Sequence, residues 1–225
     1  MDIQTFHEKS LFITESAHVF SRACAKPGPI HIALSGGSTP VPIYRAIGGR
    51  ADIPFDRLEL YQVDERYVRS DHPDSNHRMI TQSLRVSAQH KLKKFHSFDT
   101  SLPIDEALNE YEHTVARVPE RSFDLMVLGI GQDGHIASLF PFSDALSMEK
   151  HLVAHTQTET FAVHDRLTLT LPIILKSKKI LVLLNGMEKH QVLEKMKKEE
   201  TTIENFPAKA LFQHPNVLVH FCPTD

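Results

Sequence analysis

The sequence predicts an α/β fold, with a mainly parallel sheet and helices on both faces. Two observations predict it. Short apolar runs of strand length alternate with segments whose apolar residues repeat at helical spacing. Four of these runs lead directly into polar or glycine-rich segments, at residues 35–39, 64–66, 129–135 and 186–189. Strands alternating with helices pack as a parallel sheet covered on both sides. In such a sheet, all four segments emerge on the carboxyl edge, where open α/β sheets hold ligands.

The elements follow in order. Phe12, Ser16, Val19, Phe20 and Ala23 share one helical face, and the helix ends near Lys26-Pro27-Gly28. Ile30–Leu34 reads as a buried strand, and residues 41–47 as a helix stopped by Gly48-Gly49. Residues 58–63 form the next strand, which runs into Asp64-Glu65-Arg66. Ser75 is an N-cap for a helix over Asn76–Leu84. Residues 103–118 place Ile104, Ala107, Leu108, Tyr111 and Val115 on one side of a helix. Strands follow at 123–128, at 166–171 with Thr alternation, and at 179–184. Gly186 opens a helix to about Lys198, and residues 217–221 form the last strand.

Composition bounds the function. The 225 residues are 41% hydrophobic and 24% charged, enough for one sizeable core, and no linker or repeat divides them. Residues 1–225 therefore read as one domain. Nine glycines are few, which excludes low-complexity and collagen-like chains. A net charge of −3 gives no reason to expect nucleic acid, and no apolar run approaches the roughly 18 residues of a membrane span. Cys24 and Cys222 are far apart, form no CxxC, and read as free thiols in a reducing compartment. With no basic, apolar leader at the N-terminus, the expectation is a cytoplasmic protein. The fifteen histidines read as scattered surface groups that add positive charge as pH falls toward 6.

Three segments carry chemistry. Ser35-Gly36-Gly37-Ser38-Thr39-Pro40 is strand, small-residue turn and helix start; such a turn aims backbone N–H groups and hydroxyls at an anion, although a plain capped turn reads the same way. It matches neither GxxxxGK[ST] nor GxGxxG. Asp64 can orient water or a ligand hydroxyl, and Arg66 can stabilise an oxyanion; an ion-paired loop is the plainer reading. Gly129-Ile130-Gly131-Gln132-Asp133-Gly134-His135 delivers a histidine to the ligand edge as a candidate general base, with Asp133 to orient it. Arg166 and Lys189 are cations suited to a phosphate dianion. HExxH, zinc-knuckle cysteines and GxSxG are absent, so neither a metal nor a covalent serine is expected.

Taken together, residues 34–40, 63–68, 71–76 and 128–141 resemble the 6-phosphogluconolactonase family. Arg166-Leu167-Thr168-Leu169-Thr170 and Gly186-Met187-Glu188-Lys189 extend the resemblance in order to about residue 211. It implies a modified Rossmann-like fold and a metal-free, cofactor-free esterase. That esterase hydrolyses 6-phospho-D-glucono-1,5-lactone to 6-phosphogluconate in the pentose phosphate pathway. His135 would be the general base, with Arg66 at the reacting lactone and Asp64 nearby. Gly36, Gly37, Ser38, Thr39, Asn76, Gly134, Arg166 and Lys189 would bind the sugar phosphate. A glucosamine-6-phosphate isomerase/deaminase of the same superfamily would show Asp-Glu-Tyr and a Phe-Asn-Glu-Pro ending in place of Asp64-Glu65-Arg66 and Ala137-Ser138-Leu139-Phe140-Pro141. That activity, and a non-catalytic sugar-phosphate sensor, remain the alternatives. The sequence departs from the family pattern at Phe142, where a glycine is common. It also departs in a stretch before Arg166 that lacks prolines, and in a C-terminal end without a Trp-Phe-x-Asp-like tail.

Overall fold

The apolar runs assemble into one seven-stranded sheet in which every pairing is parallel. The computed structural model describes residues 1–85 and 92–224. In chain order its elements are β1 (Asp2–Thr5), α1 (Lys9–Ala23), β2 (Ile30–Leu34), α2 (Val41–Gly48), β3 (Leu58–Gln62), β4 (Asp64–Arg66), α3 (Asn76–Leu84), β5 (Lys94–His96), α4 (Ile104–Ala116), β6 (Leu125–Leu128), β7 (Val153–Gln157), β8 (Asp165–Leu169), α5 (Leu171–Leu175), β9 (Ile180–Asn185), α6 (Glu188–Lys197) and β10 (Val217–Cys222). The large sheet runs β1-β10-β9-β6-β2-β3-β5.

Strand alternation divides the core in two. Ile32, Leu34, Leu58, Leu60, Val127, Leu181 and Leu183 pack with α1, α2 and α3 on one face. Ala33, Tyr61, Met126, Leu128, Val182 and Leu184 pack with α4, α5 and α6 on the other. This is the period of two expected when both faces are covered.

The segment at 64–66 is not a loop. It is β4, an edge strand of a second sheet of order β4-β8-β7 whose pairings are antiparallel. β8 is the Thr-alternating strand, so its partners are β4 and β7 rather than the parallel sheet. β1, β5 and β7 carry no continuous apolar run in the sequence. β1 and β5 are edge strands of four and three residues that exist because a longer neighbour templates them.

Ser75 caps α3, its Oγ accepting from the Arg78 N–H at 3.2 Å. The helix α2 ends at Gly48-Gly49 as expected, with Gly49 at its C-cap. Gly48 is the last residue of α2, and a Cβ there would stand 1.4 Å from the Leu84 carbonyl oxygen at the end of α3. Glycine permits the two helices to touch. Phe142 takes φ +60 and is 70% exposed, which accounts for the glycine common at that place in the family pattern. Both cysteines are buried and free.

Several histidines are core residues rather than surface ones. His31, His214 and His220 are buried. His220 shares a 2.9 Å hydrogen bond between Nδ1 and Ser16 Oγ, and burial pulls its pKa down to about 4. His31 and His96 are also lowered, chiefly by burial. His220 therefore adds no charge near pH 6, contrary to expectation, and burial works against protonation of the other two.

Two predictions follow from this packing. Gly48→Ala should destabilise the chain by about 1–3 kcal/mol, read as a lower urea midpoint, because backbone rather than a flexible side chain opposes the new methyl. His220 takes its proton near pH 6.5 when unfolded but near pH 4 when folded. Between those values the unfolded chain binds more protons, so stability should fall as pH drops through that window, by on the order of 3 kcal/mol. His220→Gln should flatten that part of a stability–pH profile; a profile parallel to the parent chain removes His220 as the cause.

Candidate active site

β2 and β6 are neighbours in the sheet, but the chain leaves them in opposite directions. After β2 it enters α2 on one face; after β6, Ile130 and Ile136 join the core of the other. A crevice opens between the diverging loops, as expected where strand order reverses. A cleft of about 1090 Å³ occupies it. Gly36, Gly37, Ser38, Thr39, Asp64, Arg66, Asn76, His135, Arg166 and Lys189 all line this cleft.

The first wall is the turn after β2. Gly37 has φ +96, a backbone state that side chains disfavour. Gly36 is required by contact, since a Cβ there would lie 1.8 Å from Asn76 Oδ1. Asn76 in turn donates from Nδ2 to the Asp64 carbonyl at 2.9 Å.

The loop after β6 forms the second wall. Gly131 N–H donates to the His135 carbonyl at 2.9 Å and Gly134 N–H to the Gly131 carbonyl at 3.0 Å, closing a tight turn. His135 Nδ1 and Asp133 Oδ1 are 2.6 Å apart. Burial alone would raise the Asp133 carboxyl, but the hydrogen bond and charge of His135 outweigh it and hold the group below its usual value. With Nδ1–H donated to Asp133, the lone pair lies on Nε2. A Cβ on Gly131 would stand 2.1 Å from His135 Nδ1, so that glycine makes room for the pair. Gly134 does not line the cleft. Its φ is +90 and a Cβ would strike the Phe206 ring at 2.2 Å, so it faces the core rather than a ligand.

The third wall comes from the small sheet, whose register sets Arg66 opposite Arg166. Arg66 Nη1 donates to the Asp74 carbonyl at 2.6 Å. Arg166 Nε donates to the Val163 carbonyl at 2.9 Å, and its guanidinium lies 5.5 Å from the Phe161 ring centre. Among the described residues no ion pair engages either arginine or Lys189. Burial, and then the like charge of Arg66, lowers the pKa of Arg166. Burial lowers Lys189 as well; its Nζ donates to the Ile130 carbonyl at 2.9 Å. Three cations without carboxylate partners, Arg166 buried and Arg66 and Lys189 half-buried, form a site that an anion would complete.

Ser138 and Phe140, marked in the sequence only as part of an ending that separates the family's two activities, and Phe161, not marked there, also line the cleft. Ser138 Oγ donates to Asp64 Oδ2 at 2.7 Å from within the core. The preceding Ala137 holds φ +53, the bend that aims it. Phe140 and Phe161 flank the His135 ring, with centres 5.0 and 5.6 Å away. Phe161 lies in the β7–β8 connection, where nothing in the local sequence marks it. Glu65, by contrast, turns away from the cleft toward α3.

The family profile described as glucosamine-6-phosphate isomerases/6-phosphogluconolactonase matches residues 12–219. A probable 6-phosphogluconolactonase from Dictyostelium discoideum is 35% identical over 195 residues, covering 84% of this chain and 83% of that one. This chain belongs to the glucosamine-6-phosphate isomerase/6-phosphogluconolactonase family. Its fold is close to the crystal structure of a 6-phosphogluconolactonase from Thermotoga maritima, with TM-score 0.83, 29% identity and 99% of each chain covered. It is equally close to a monomeric glucosamine-6-phosphate deaminase, with TM-score 0.86 at 23% identity, covering 98% of this chain and 97% of that one. Backbone shape is thus common to both activities of the family, and the side chains in the cleft must separate them.

Because the cations lack partners, inorganic phosphate should raise the Tm of the chain. Arg166→Ala should weaken that binding about tenfold to a hundredfold, as loss of a charge-assisted hydrogen bond does. Phosphate titrations followed by thermal unfolding test it, and an unchanged response removes Arg166 from the anion site.

Proposed function

We propose that residues 1–225 act as one catalytic domain that hydrolyses 6-phospho-D-glucono-1,5-lactone to 6-phospho-D-gluconate, the lactonase step of the pentose phosphate pathway. The observation that carries this reading is the Asp133–His135 pair facing two unpaired arginines across one cleft. The relative at 35% identity is named for the same activity. We also place the enzyme in the cytoplasm, a reducing setting that suits the buried free thiols Cys24 and Cys222. Among the described residues, no helix is long and apolar enough to cross a membrane.

The phosphate of the substrate is held by the backbone at Gly36 and Gly37, the hydroxyls of Ser38 and Thr39, and the cations Arg166 and Lys189. Anchoring the far end of the sugar spends binding energy on placing the lactone carbonyl. His135 Nε2 takes a proton from water as its oxygen attacks C1. Negative charge builds on the carbonyl oxygen, and Arg66 stabilises it. The tetrahedral intermediate collapses by breaking the C1–O5 ring bond, and His135 returns its proton to O5. The new carboxylic acid then ionises. Asp133 fixes the tautomer of His135, as orienting carboxylates do. Asp64, held by Ser138 Oγ, positions the substrate and balances the arginines rather than exchanging the proton.

The deaminase alternative is disfavoured by one contact. Phe140 precedes Pro141 where the deaminase ending carries a glutamate, and its ring packs against His135. A non-catalytic sensor would need only the anion set and would leave the Asp133–His135 pair without a task.

Lactone hydrolysis above the spontaneous rate tests the proposal. General-base catalysis contributes roughly 10²–10⁴-fold, so His135→Ala should lower kcat by that factor while 6-phosphogluconate still binds. Near-normal kcat in that variant overturns the role of His135. Ammonia release from glucosamine 6-phosphate without lactone turnover overturns the reaction.

A further inference from the structure

Seven buried side-chain polar atoms among the described residues lack a hydrogen-bond partner. Three of them, Arg66 Nε, Asn76 Oδ1 and Asn185 Oδ1, belong to residues that line the same cleft. Buried polar groups are normally satisfied, and an orphaned acceptor costs stability unless something supplies its donor. Arg66 already has a place in the proposed mechanism, and Asn76 is tied to the Asp64 carbonyl through its Nδ2. Asn185 has no such place.

Asn185 is the last residue of β9, directly before Gly186 and the helix that bears Lys189. Alternation along β9 puts it on the same side as Leu181 and Leu183, the face of α1 and α2. Ile130 and Ile136, which bracket the His135 loop, pack in the core of the opposite face. The cleft therefore crosses the sheet edge, and Asn185 lines it on the same face as Leu183 and Phe12. A cleft of about 1090 Å³ exceeds what a phosphate group fills, so the rest of the ligand must meet these walls.

We propose that Asn185 is a specificity-determining residue whose Oδ1 accepts a hydrogen bond from a hydroxyl of the bound sugar phosphate. The assignment rests on the sugar-phosphate reading of this cleft. The chemistry selects a hydroxyl over the phosphate. Oδ1 is an acceptor only, and a phosphate dianion offers it no proton. A hydroxyl does. A site that satisfies a buried acceptor in this way rejects ligands that lack the hydroxyl, because the acceptor then stays unpaired.

Binding to Asn185→Leu and Asn185→Ala, measured by calorimetry, tests the assignment with two probes, 6-phosphogluconate and inorganic phosphate. Affinity for 6-phosphogluconate should fall about tenfold to a hundredfold in both variants, and affinity for inorganic phosphate should not change. The ligand-free Tm of Asn185→Leu should hold or rise, since the substitution removes an unsatisfied buried oxygen and no internal bond. Equal weakening of both probes makes Asn185 a phosphate contact and overturns the proposal. Unchanged affinity for both, or a lowered Tm in both variants, also overturns it. Binding needs no turnover, so these outcomes stay readable even if the parent chain fails to hydrolyse the lactone.

Discussion

The geometry of the cleft depends on one buried carboxylate, that of Glu65. Its two oxygens accept from five donors: the backbone N–H groups of Arg66 at 2.8 Å, Asn76 at 2.7 Å and His77 at 2.8 Å, Gln62 Nε2 at 2.7 Å and Ser75 Oγ at 3.2 Å. Two of those N–H groups open α3, where a helix leaves donors unpaired and favours negative charge. Gln62 also accepts from Phe98 N–H at 2.9 Å, tying the end of β5 to the same point. Glu65 thus joins the large sheet, the small sheet and α3 at one place. From that joint Asp64 and Arg66 project into the cleft, and Asn76 is held against Gly36. A buried charge with so many donors is costly to disturb, because each partner would be left unpaired in turn.

That joint also shows where sequence reading stops. The central strands and the glycine turns are legible because an uninterrupted apolar run and a Gly-Gly or Gly-x-Gly pause each have one cheap structural solution. The triplet at 64–66 is legible as functional but not as structure. Read as a loop, its three charges are equivalent. As strand β4 they alternate, so Asp64 and Arg66 face one way and Glu65 the other. The pairing that makes it a strand lies about a hundred residues away in β8, and no local pattern encodes it. Gly134 fails for a related reason. Its neighbours Gly131 and His135 belong to the cleft, but the ring it must accommodate is Phe206, which only the tertiary fold brings near. Gly48 ends its helix as the sequence indicates, but its contact with Leu84 is set by the tertiary fold alone. His31, His214 and His220 depart from a surface reading because composition cannot distinguish a surface imidazole from one buried as His220 is beside Ser16.

Several forces that oppose folding meet at the cleft. Arg66 and Arg166 share a register position with no carboxylate paired to either. Three orphaned polar atoms sit on cleft residues, and Ala137 holds a left-handed backbone beside them. Strain and unpaired charge gather at functional sites because the surrounding structure over-determines them. Here the surrounding structure is a parallel sheet whose strands β2, β6 and β9 are buried along nearly their whole length.

The sheet does more than resist. Because every strand of it is parallel, each carboxyl end lies on one edge, and the reversal between β2 and β6 parts the loops there. The turn at Gly36 and Gly37 and the loop bearing His135 therefore face one another from adjacent strands. Neither depends on a long or flexible connection for its position. A ligand that bridges them neutralises the arginines and fills the orphaned atoms in one event, so affinity and rigidity should rise together. The same arithmetic explains why the cations can be left unpaired in the free chain. The penalty of Arg66 beside Arg166 is borne by a fold stabilised elsewhere, and it is released where the anion binds.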